Sequence, residues 1–400
     1  MRIAVIGGGP AGFMAAITAK KTQENTEVTI FEKTNSLLRK VKVSGGGRCN
    51  VTNATFSISK LIKNYPRGGK QLRKSFNEFH TTDTVNWFKE KGIALVAEDD
   101  KRIFPQSNSS QTIVNCLLNT AKSLKIIISL KSTVNKIIST KDGFNIKINN
   151  QSLFFEKVII ATGGNSKKET YNWLEEIGHT INKPVPSLFT FNLKNKSICD
   201  LMGLSAPNVI TTIKGSKLKN EGPLLITHWG FSGPAILKLS SWAARDLADL
   251  KYEFVVAINW LAINENQLRN DLEKILKSKK IIYNYNPFKI PKRLWAFILQ
   301  NINIKDCKKW NELSKKEKNR LINKLTNDEY RVSGKTTYKE EFVTCGGIRL
   351  EEIQMKTMES KIHKGLYFTG EILDIDGITG GFNFQAAWTS GYLAGKNSVI

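Results

Sequence analysis

The chain begins with two short apolar stretches on either side of a glycine cluster. Residues 2–6 (Arg-Ile-Ala-Val-Ile) and 28–31 (Val-Thr-Ile-Phe) are rich in β-branched residues. Such short runs without alternation are typical of strands that are covered on both faces. We therefore predict strand, helix and strand over residues 1–31, with a turn at Asn25 and Thr26 before the second strand.

The next part of the chain combines one predicted helix with several short strands. Apolar positions recur at helical spacing over residues 111–124, and strand-like stretches lie around 126–128, 134–138, 144–148 and 153–155. Short strands in such close succession favour a small antiparallel meander. Residues 158–164 (Val-Ile-Ile-Ala-Thr-Gly-Gly) are predicted to be a buried strand that ends in a glycine turn. The residues 44–53 are rich in Gly and Asn and are predicted to be a loop.

The pattern changes near residue 187. Short strand-like runs at 188–193, 209–213 and 252–258 surround a predicted loop at 227–234, and residues 264–330 are helical and rich in lysine. Glycine-rich strand and turn patterns return at 365–371, and a helix is predicted from 384 to 394. The simplest division is a first domain of residues 1–188 and 341–400, interrupted by a β-rich domain at 189–260 and a basic helical domain at 261–340.

The glycines of the first turn form a nucleotide-binding pattern. Gly7, Gly9 and Gly12 make a G-x-G-x-x-G sequence directly after the first strand, and Glu32 follows Gly12 by twenty positions. Gly7 permits the tight turn, Gly9 allows a pyrophosphate to approach the backbone, and Gly12 lets the helix lie close to the strand. The N–H groups at the helix N-terminus attract the pyrophosphate, and the Glu32 carboxylate accepts hydrogen bonds from an adenosine ribose. These features in this order predict a dinucleotide site.

The composition is that of a globular protein without a membrane segment. The 400 residues are 40% hydrophobic, and no apolar run approaches the ~20 residues of a membrane helix. Glycines interrupt the N-terminal apolar stretch, which argues against a signal peptide. The 5 cysteines are scattered without a C-x-x-C pair, so neither a disulfide framework nor a metal site is predicted. We expect a cytoplasmic location.

The charge balance is strongly positive. Lys and Arg number 60 against 35 Asp and Glu, which gives a formal net charge of +25 at pH 7. AT-rich coding favours lysine and would explain part of this excess, although the same bias tends to raise glutamate. The other interpretation is attraction to a polyanion such as nucleic acid, with salt-dependent binding. The sequence leaves both interpretations open.

Several rarer motifs occur along the chain in a fixed order. They are Arg39-Lys40 leading to residues 44–53, Ala161-Thr162-Gly163-Gly164, Thr227-His228-x-Gly230-x-Ser232-Gly233-Pro234, Thr344-x-Gly346-Gly347, Thr357-Met358-Glu359-Ser360-Lys361, Gly365-Leu366-Tyr367-Phe368-x-Gly370-Glu371 and Gly380-Gly381-x-Asn383. With the N-terminal glycines, these motifs resemble the BaiN/RdsA-type flavoproteins, a group of FAD-dependent, aminoacetone-oxidase-like oxidoreductases. The resemblance covers nearly the whole chain. Leu38 and Lys42 depart from it, because the family more often has glycine and an apolar residue there.

This resemblance implies an α/β fold in which a Rossmann-like, glutathione-reductase-like FAD-binding domain is interrupted by a β-barrel-like domain and a small helical domain. It implies FAD as the cofactor. A second glycine-rich strand and turn near the end of the chain agrees, because FAD is long enough to need both ends of the chain. The expected contacts are Gly7, Gly9, Ala11, Gly12, Glu32, Lys33, Lys40, Gly45, Gly46, Gly47, Arg48, Asn50, Val134, Ala161, Thr162, Gly163, Gly164, Gly370, Glu371, Gly380, Gly381, Phe382 and Asn383.

Several of these assignments have a structural alternative. Gly380 and Gly381 would begin a helix whose N-terminus stabilises the anionic reduced flavin at its N1/C2=O edge, or they only cap that helix. The backbone of Val134 would contact the adenine, or Val134 is one more core residue. Arg48 would pair with the pyrophosphate or with the substrate, and Asn50 would bond the polar edge of the flavin ring.

Two residues are candidate proton donors. The Cys49 thiol lies beside Arg48 in a glycine-rich loop, where a lowered pKa would let it donate a proton; the alternative is a packed, inert cysteine. His228 lies in a polar loop of the inserted segment and is a candidate general acid, or it is a structural histidine that bonds its own loop. No role is assigned to His80, His179 or His363, which show no metal-ligand spacing.

Three functions remain open from the sequence. Members of the family are associated with dihydrouridine formation in large-subunit ribosomal RNA, and the charge of this chain would suit an RNA substrate. The alternatives are a reductase or oxidase of a small molecule, steroid-like or an amino-ketone, and a non-catalytic flavin- or RNA-binding protein. The sequence contains no second G-x-G-x-x-G, so either NAD(P)H binds transiently over the flavin as electron donor or another reductant serves.

The helical insertion interleaves cations with aromatic residues, a composition that can hold phosphates and stack bases. The residues concerned are Lys279, Lys280, Tyr283, Tyr285, Lys292, Arg293, Trp295, Lys308, Lys309, Trp310, Lys315, Lys316, Lys318 and Arg320. The alternative is that the aromatic residues belong to the core and the lysines form a solvated face.

Overall fold

The computed structural model describes residues 1–149, 151–336 and 343–400. The chain divides into two compact units, one formed by Met1–Ser187 with Tyr338–Ile400 and the other by Leu188–Thr337. The predicted boundary between residues 340 and 341 lies outside the described residues. Within the described ranges, no helix is both long enough and apolar enough to cross a membrane.

The first segment of the first unit contains eleven strands and seven helices among its described residues. The strands are β1 Arg2–Ile6, β2 Glu27–Phe31, β3 Thr52–Asn53, β4 Leu95–Ala97, β5 Arg102–Pro105, β6 Ile127–Ser129, β7 Val134–Ser139, β8 Phe144–Ile148, β9 Gln151–Phe155, β10 Lys157–Ile160 and β11 Ile181–Ser187. The helices are α1 Pro10–Thr22, α2 Arg39–Gly47, α3 Ile58–Leu61, α4 Gly69–Phe76, α5 Thr81–Lys89, α6 Ser110–Ser123 and α7 Asn172–Glu175, with short 3₁₀ helices at Ile62–Asn64 and Lys168–Tyr171.

The inserted unit contains six strands and five helices in its described part. The strands are β12 Thr190–Leu193, β13 Ser205–Ile213, β14 Lys219–Ile226, β15 Gly230–Ser232, β16 Glu253–Asn259 and β17 Asp328–Thr336. The helices are α8 Pro234–Trp242, α9 Ala244–Asp249, α10 Glu265–Ile275, α11 Lys292–Asn301 and α12 Lys315–Thr326, with 3₁₀ helices at Ser197–Leu201 and Trp310–Glu312.

The last segment returns to the first unit. It comprises β18 Val343–Ile348, β19 Ile353–Gln354, β20 Glu359–Ser360, β21 Leu366–Phe368 and α13 Phe382–Asn397, with 3₁₀ helices at Leu350–Glu352 and Gly370–Ile372. The helix that was predicted from 384 to 394 is therefore longer and begins directly after Gly381.

A seven-stranded sheet in the order β19-β20-β21-β10-β1-β2-β6 organises the first unit. From β21 to β6 the neighbouring strands are parallel, and β1 is central, with Val5 opposite Ile159 on one side and Ile30 on the other. These three side chains are fully buried, as expected for a parallel sheet covered on both faces. All five carboxyl ends meet at one edge, which is where ligands bind in folds of this kind.

Helices α1 and α13 pack against each other through small residues. A Cβ on Gly391 would lie 2.6 Å from the carbonyl oxygen of Ala11, and one on Gly395 would lie 2.2 Å from that of Ala15. Distances this short are possible only for glycine, so the two backbones touch directly. The beginning and the end of the chain are thereby held in one layer.

The antiparallel meander is present but has three strands rather than four. β7, β8 and β9 pair antiparallel in order, as predicted. The stretch around 126–128 lies instead in β6, which pairs parallel with β2 in the large sheet. A three-residue apolar run shows strand propensity but carries no information about its partner, which explains the wrong assignment.

The inserted unit contains a closed barrel in the order β12-β15-β14-β13-β16-β17. Three of its strands were not predicted: β14, β15, which lies in the expected loop at 227–234, and β17, which lies in the segment expected to be helical. β15 and β17 are short or polar, and each pairs with a strand distant in sequence, β15 with β12 and β17 with β12 and β16. The helices α10–α12 share one apolar core with the barrel, including Leu272, Leu294 and Ile258. The described part of Leu188–Thr337 is thus one unit, whereas the sequence suggested two.

Candidate cofactor site

Predicted segments from both ends of the chain meet at the carboxyl edge of the large sheet. The Gly7 N–H donates to the Phe31 carbonyl oxygen at 2.8 Å. A Cβ on Gly7 would lie 2.3 Å from the carbonyl oxygen of Ala161, and one on Gly370 would lie 2.8 Å from the Cβ of Ala11. The turns after β1, β10 and β21 therefore pack against each other at the place where the sequence predicts a dinucleotide.

The three glycines of the fingerprint have different reasons to be glycine. A Cβ on Gly12 would lie 2.0 Å from the Gly7 carbonyl oxygen, so packing inside the chain forbids a side chain there. Gly9 has an ordinary extended conformation with φ −91°. A Cβ on Gly9 would have no heavy atom of the described chain within 4 Å. The fold itself does not require glycine at this position, whereas a pyrophosphate approaching the backbone does.

The other predicted glycines have one of two structural reasons to be glycine, a positive φ or close packing. Gly46, Gly47 and Gly163 face open space but have φ of 68°, 84° and 73°, which favours glycine without any ligand. A Cβ on Gly45, Gly164 or Gly381 would come within 2.9, 2.5 or 2.4 Å of Phe104, Thr344 or Thr52. These close approaches bring three separate loops together around the edge of the sheet.

The N-terminus of α1 is suited to an anion. Pro10 begins the helix directly after Gly9, no described side chain caps it, and its first turn contains no acidic residue. The N–H groups of the first turn have no partner inside a helix and carry part of the positive end of the helix dipole. A pyrophosphate would satisfy these donors, so the local structure fits the cofactor.

Glu32 is held rigidly at the end of β2. Its Oε2 accepts the Gly8 N–H at 2.9 Å, and its Oε1 accepts both the N–H and the hydroxyl of Thr34 at 2.9 Å. The Ser132 N–H donates to the Glu32 carbonyl oxygen at 2.9 Å, which brings the start of β7, with Val134, to the same end of the sheet. The contacts of Glu32 and Val134 with an adenosine stay predictions. The neighbouring Lys33 is exposed.

An ion pair links the two ends of the chain beside the glycine turns. Lys40 pairs with Glu371, whose Oε1 also accepts the Thr344 N–H at 2.8 Å. The Thr344 hydroxyl is buried and has no hydrogen-bond partner among the described residues. It lies against Gly164. Thr162, two positions earlier in the sequence, is exposed. A buried hydroxyl without a partner beside a charged pair is a feature that a polar ligand would complete.

The loop after α2 is ordered by contacts within the protein. The chain leaves the helical conformation at Ser44 and runs through left-handed glycines. The Arg48 guanidinium donates to Glu98 at 2.6 Å and lies over the Phe104 ring, 3.9 Å from its centroid. The Arg48 guanidinium is therefore already paired within the protein. The sequence contained no signal that identified Glu98 as its partner. At the other end of α2, Leu38 has φ 54°, a left-handed conformation in which glycine is favoured.

The expectation that Cys49 has a lowered pKa is wrong. The Cys49 side chain is fully buried, and this burial raises the pKa of its thiol from 9.0 to about 12. A hydrogen bond with Ser44 opposes the shift but is the smaller effect. Because the side chain is fully buried and its surroundings disfavour the thiolate, the structure favours the alternative of a packed, inert cysteine.

The N-terminus of α13 is held open by two asparagines. In the amide orientation that satisfies its neighbours, Asn50 donates to the Thr52 carbonyl oxygen and accepts the Gly381 N–H, both at 2.9 Å. Asn53 donates to the Gly380 carbonyl oxygen at 2.9 Å. Asn50 therefore shapes the turn and is not free to bond a flavin through these groups. The helix begins after Gly381 with no side-chain cap from the described residues, which leaves its first N–H groups for a ligand.

Asn383 and Phe382 also serve the turn. The Asn383 amide donates to and accepts from the backbone of Gly377, at 2.9 and 2.8 Å. Phe382 is buried, and its carbonyl oxygen accepts the Tyr65 hydroxyl at 2.7 Å. These side chains fix the conformation of residues 377–383, so any contact to a cofactor comes from the backbone.

A buried ion pair that the sequence analysis missed anchors the same turn. Asp376 is fully buried, and its two oxygens are bonded by the Arg67 guanidinium, with Nε at 2.5 Å from Oδ1. The Ser187 hydroxyl donates to Oδ2 at 2.7 Å. The Ile378 N–H donates to the Asn64 carbonyl oxygen at 2.9 Å. Segment 64–67 thus holds the loop that leads to α13, and only the three-dimensional contact reveals it.

The motif at 357–361 has a structural role. It contacts His179, a histidine to which the sequence assigned no role. His179 is buried, with Nδ1 3.0 Å from Glu352 Oε2 and Nε2 3.0 Å from Ser360 Oγ. Its ring lies against Phe368, at 4.6 Å between centroids. Burial lowers the pKa of His179, so it is neutral near pH 7. The cluster supports β21 immediately before Gly370.

His228 lies in the inserted unit, in the turn between β14 and β15. Its side chain is exposed, and its ring contacts Trp229 with centroids 4.2 Å apart. The turn is closed by Thr227, whose hydroxyl donates to the Gly230 carbonyl oxygen at 3.0 Å. His228 therefore stays a candidate proton donor on accessibility alone.

A comparison with protein families decides the identity of the fold. The HI0933-like protein Rossmann domain family matches residues 1–397. The chain belongs to this family. The expected resemblance to BaiN/RdsA-type flavoproteins is thereby confirmed, as is the predicted α/β fold with its Rossmann-type FAD-binding domain.

Characterised relatives match over the full length. The chain is 28% identical to a 3-dehydro-bile acid delta(4,6)-reductase of Clostridium scindens, with 99% of this chain and 98% of the relative covered. It is 29% identical to a ribosomal RNA dihydrouridine synthase of Escherichia coli, with 99% and 97% covered. A relative of the same description from Haemophilus influenzae is also 29% identical, with 97% and 96% covered.

Solved flavoproteins share the fold. A 3-ketosteroid delta1-dehydrogenase from Sterolibacterium denitrificans superposes with a TM-score of 0.53 at 12% identity, covering 99% of both chains. A flavocytochrome c3 fumarate reductase superposes with a TM-score of 0.52 at 16% identity, covering 100% of this chain and 78% of that one. Together with the family match, these similarities make the protein an FAD-dependent oxidoreductase, as predicted.

Replacing Gly9 separates cofactor binding from folding. Asparagine is a good N-cap residue, so Gly9→Asn is expected to leave the stability of the cofactor-free protein unchanged or slightly higher. Its side chain occupies the open space and competes for the same N–H groups, so FAD affinity is expected to fall by about 100-fold, or ~2.7 kcal/mol. Thermal unfolding and fluorescence titration with FAD measure the two effects.

The matched control is Gly12→Ala, which introduces a Cβ 2.0 Å from the Gly7 carbonyl oxygen. This variant is expected to lose stability, by about 1–3 kcal/mol or more, even without FAD. If Gly9→Asn destabilises the cofactor-free protein as much as Gly12→Ala does, the fold itself requires Gly9 and the interpretation fails.

Removing one partner of the buried ion pair should loosen the turn before α13. Arg67→Met leaves Asp376 buried without its cation, and about 3–5 kcal/mol of stability is expected to be lost. The double variant Arg67→Met with Asp376→Asn removes the charge and is expected to recover part of this loss. Denaturant unfolding measures the stability, and the visible FAD spectrum reports the turn. A single variant as stable as the parent protein would show that the pair does not anchor this loop.

Proposed function

We propose that the protein forms dihydrouridine in large-subunit ribosomal RNA. Two relatives that match the full chain at 29% identity are described as ribosomal RNA dihydrouridine synthases. In this reaction a hydride is added to C6 of the uracil and a proton to C5, so that the C5=C6 double bond becomes single. Bound FAD, once reduced, would supply the hydride. The residues of the chain bind the RNA, orient the uracil ring and donate the proton.

The observation that carries this proposal is the charge of the inserted unit. Between Lys274 and Lys324 the chain has fifteen Lys and Arg but only three Asp and Glu. Of these acids, Glu312 and Glu317 already contact Lys309 and Lys308, at 3.9 and 3.3 Å. The remaining cations form a strongly positive surface, which attracts a phosphate backbone, whereas a small substrate, even an anionic one, would need only a few of these cations.

The aromatic part of the expected RNA surface needs correction. Trp295 and Trp310 are buried, with their ring centroids 6.2 Å apart and each indole N–H donating to a backbone carbonyl. They belong to the core of the inserted unit and cannot stack on bases. Tyr285 is partly exposed, and Lys280 lies over its ring at 4.3 Å. RNA would therefore be bound here mainly through its phosphates.

The electron donor and the proton donor belong to the same proposal. NAD(P)H is proposed to reduce the flavin during a transient encounter, because the sequence has one G-x-G-x-x-G only. The exposed imidazole of His228 is proposed to protonate C5 after hydride addition, since an accessible imidazole can serve as a general acid. Neither assignment depends on which residues of the chain bind the RNA.

A second candidate function is reduction of a steroid-like substrate. The full-length relative at 28% identity is described as a 3-dehydro-bile acid delta(4,6)-reductase. Hydride addition to a carbon–carbon double bond conjugated to a carbonyl is chemically close to the reduction of uracil, so the same site would suit either substrate. The basic inserted unit favours RNA.

Loss of the gene is expected to remove one dihydrouridine from large-subunit ribosomal RNA. Mass-spectrometric mapping of the RNA from deletion and parent strains tests this directly. The control is re-expression of the parent protein and of Gly9→Asn, of which only the first should restore the modification. Unchanged RNA in the deletion strain would reject the RNA substrate. Reoxidation of the reduced flavin by a 3-dehydro-bile acid would then favour the second function.

Replacing His228 tests the proton donor. His228→Gln keeps a polar side chain but cannot donate a proton as an acid, so the reoxidation rate by substrate is expected to fall by about 10²–10⁴-fold. FAD absorbance and the rate of flavin reduction should stay as in the parent protein. Stopped-flow measurement of the two half-reactions separates these effects. An unchanged oxidative half-reaction would remove His228 from the mechanism.

A further inference from the structure

One face of α12 concentrates the unpaired charge of the inserted unit. Its residues recur at positions i, i+1, i+4, i+5 and i+8, which lie on the same side of a helix. This face lines a shallow surface depression of ≈ 540 Å³. It consists of Lys315, Lys316, Asn319, Arg320 and Asn323. We call this face the basic ridge.

The cations of the basic ridge have no acidic partner among the described residues. Lys315 and Lys316 are exposed, and Arg320 is half-buried. The Nε of Arg320 is buried and lacks any hydrogen-bond acceptor in the part of the chain that the structure describes. Leaving a buried donor unsatisfied costs free energy, which an anionic acceptor beside the guanidinium would reduce.

The acidic residue within α12 does not neutralise the ridge. Glu317 accepts the N–H and the hydroxyl of Ser314, at 2.9 and 2.7 Å, and pairs with Lys308 at 3.3 Å. The hydrogen bonds with Ser314 lower the pKa of Glu317, and its carboxylate is used in capping the helix. The ridge keeps its full positive charge.

The basic ridge is presented on a well-anchored helix. The opposite face of α12 buries Leu321, Ile322 and Leu325 in the core of the inserted unit. Arg269 of α10 donates to the Asn319 side chain at 3.1 Å, which ties the neighbouring helix to the ridge. The helix that carries the cations is therefore held in place before a ligand binds, so its backbone loses little conformational entropy on binding.

We propose that the basic ridge binds the phosphodiester backbone of the RNA substrate. This inference rests on the proposed function, and it assigns RNA contact to one helix face. From Lys315 to Asn323 the ridge is ~12 Å long at 1.5 Å per residue, a length that matches a few successive phosphates of one RNA strand. Arg320 offers the planar donor fork that matches a phosphate.

Two observations favour RNA over other polyanions. Asn319 and Asn323 alternate with the cations, and an amide can donate to and accept from the 2′-hydroxyl that distinguishes RNA from DNA. None of the exposed large apolar side chains of the described residues lies on α12. A membrane-surface helix would need apolar residues to insert between lipids.

The test is a triple variant that removes the charge of the ridge. Lys315→Gln, Lys316→Gln and Arg320→Gln together are compared with Lys196→Gln, Lys217→Gln and Lys219→Gln, which remove three exposed lysines elsewhere in the same unit. The probe is large-subunit ribosomal RNA transcribed in vitro, with a DNA duplex and phosphatidylglycerol vesicles as competitors. All proteins are used as full-length, FAD-loaded chains, and their FAD absorbance and thermal unfolding are measured first.

The ridge variant is expected to bind this RNA at least tenfold more weakly than the parent protein at ~0.1 M salt. The slope of log affinity against log salt concentration should be shallower by about 2–3 for this variant, because each lost phosphate contact removes nearly one released counterion. The control variant should lose less than threefold. Equal losses in the two variants would overturn the proposal, as would vesicles that displace the RNA completely.

The outcome is separable from that of the proposed function. If the deletion strain lacks dihydrouridine but the ridge variant binds RNA like the parent protein, the ridge proposal is wrong and the function stands. If the RNA of the deletion strain is unchanged but the ridge variant loses RNA affinity, the function is wrong and the ridge remains an RNA-binding surface.

Discussion

The contact between the backbones of α1 and α13 is the constraint on which the cofactor domain depends. Gly391 and Gly395 bring the last helix against Ala11 and Ala15 at distances that no side chain would permit. The same closeness recurs at Gly370, which packs on Ala11. A larger residue at these positions would force the helices apart at a cost of about 1–3 kcal/mol each. Because the two ends of the chain touch here, one cofactor can be held by both.

This close packing also explains why the candidate site relies on backbone groups. The side chains of Asn50, Asn53 and Asn383 are used to shape the turn before α13. Two helices, α1 and α13, begin after glycines and without side-chain caps from the described residues. Uncapped N–H groups in rigid positions stabilise negative charge without rearrangement, which is what a pyrophosphate and a reduced flavin require.

The inserted unit divides its residues differently from the cofactor domain. Its aromatic residues join the barrel and the helices into one core, whereas its lysines remain on the surface with few acidic partners. The net positive charge of the chain is thus compatible with a stable fold, because the cations are solvated. It becomes informative about function only where unpaired cations share one rigid face, as they do on α12.

The sequence by itself determined the features that depend on local order along the chain. The turn at Gly7–Gly12, the position of Glu32, the helix after Gly381 and the family follow from spacing over a few residues. The tertiary structure alone decided which partners meet and which groups are buried. Arg67 and Asp376 are 309 positions apart, Cys49 is inert because it is buried, and β15 and β17 exist because distant strands close a barrel. Burial and long-range pairing have no signature in local periodicity, since both depend on what the rest of the chain places nearby.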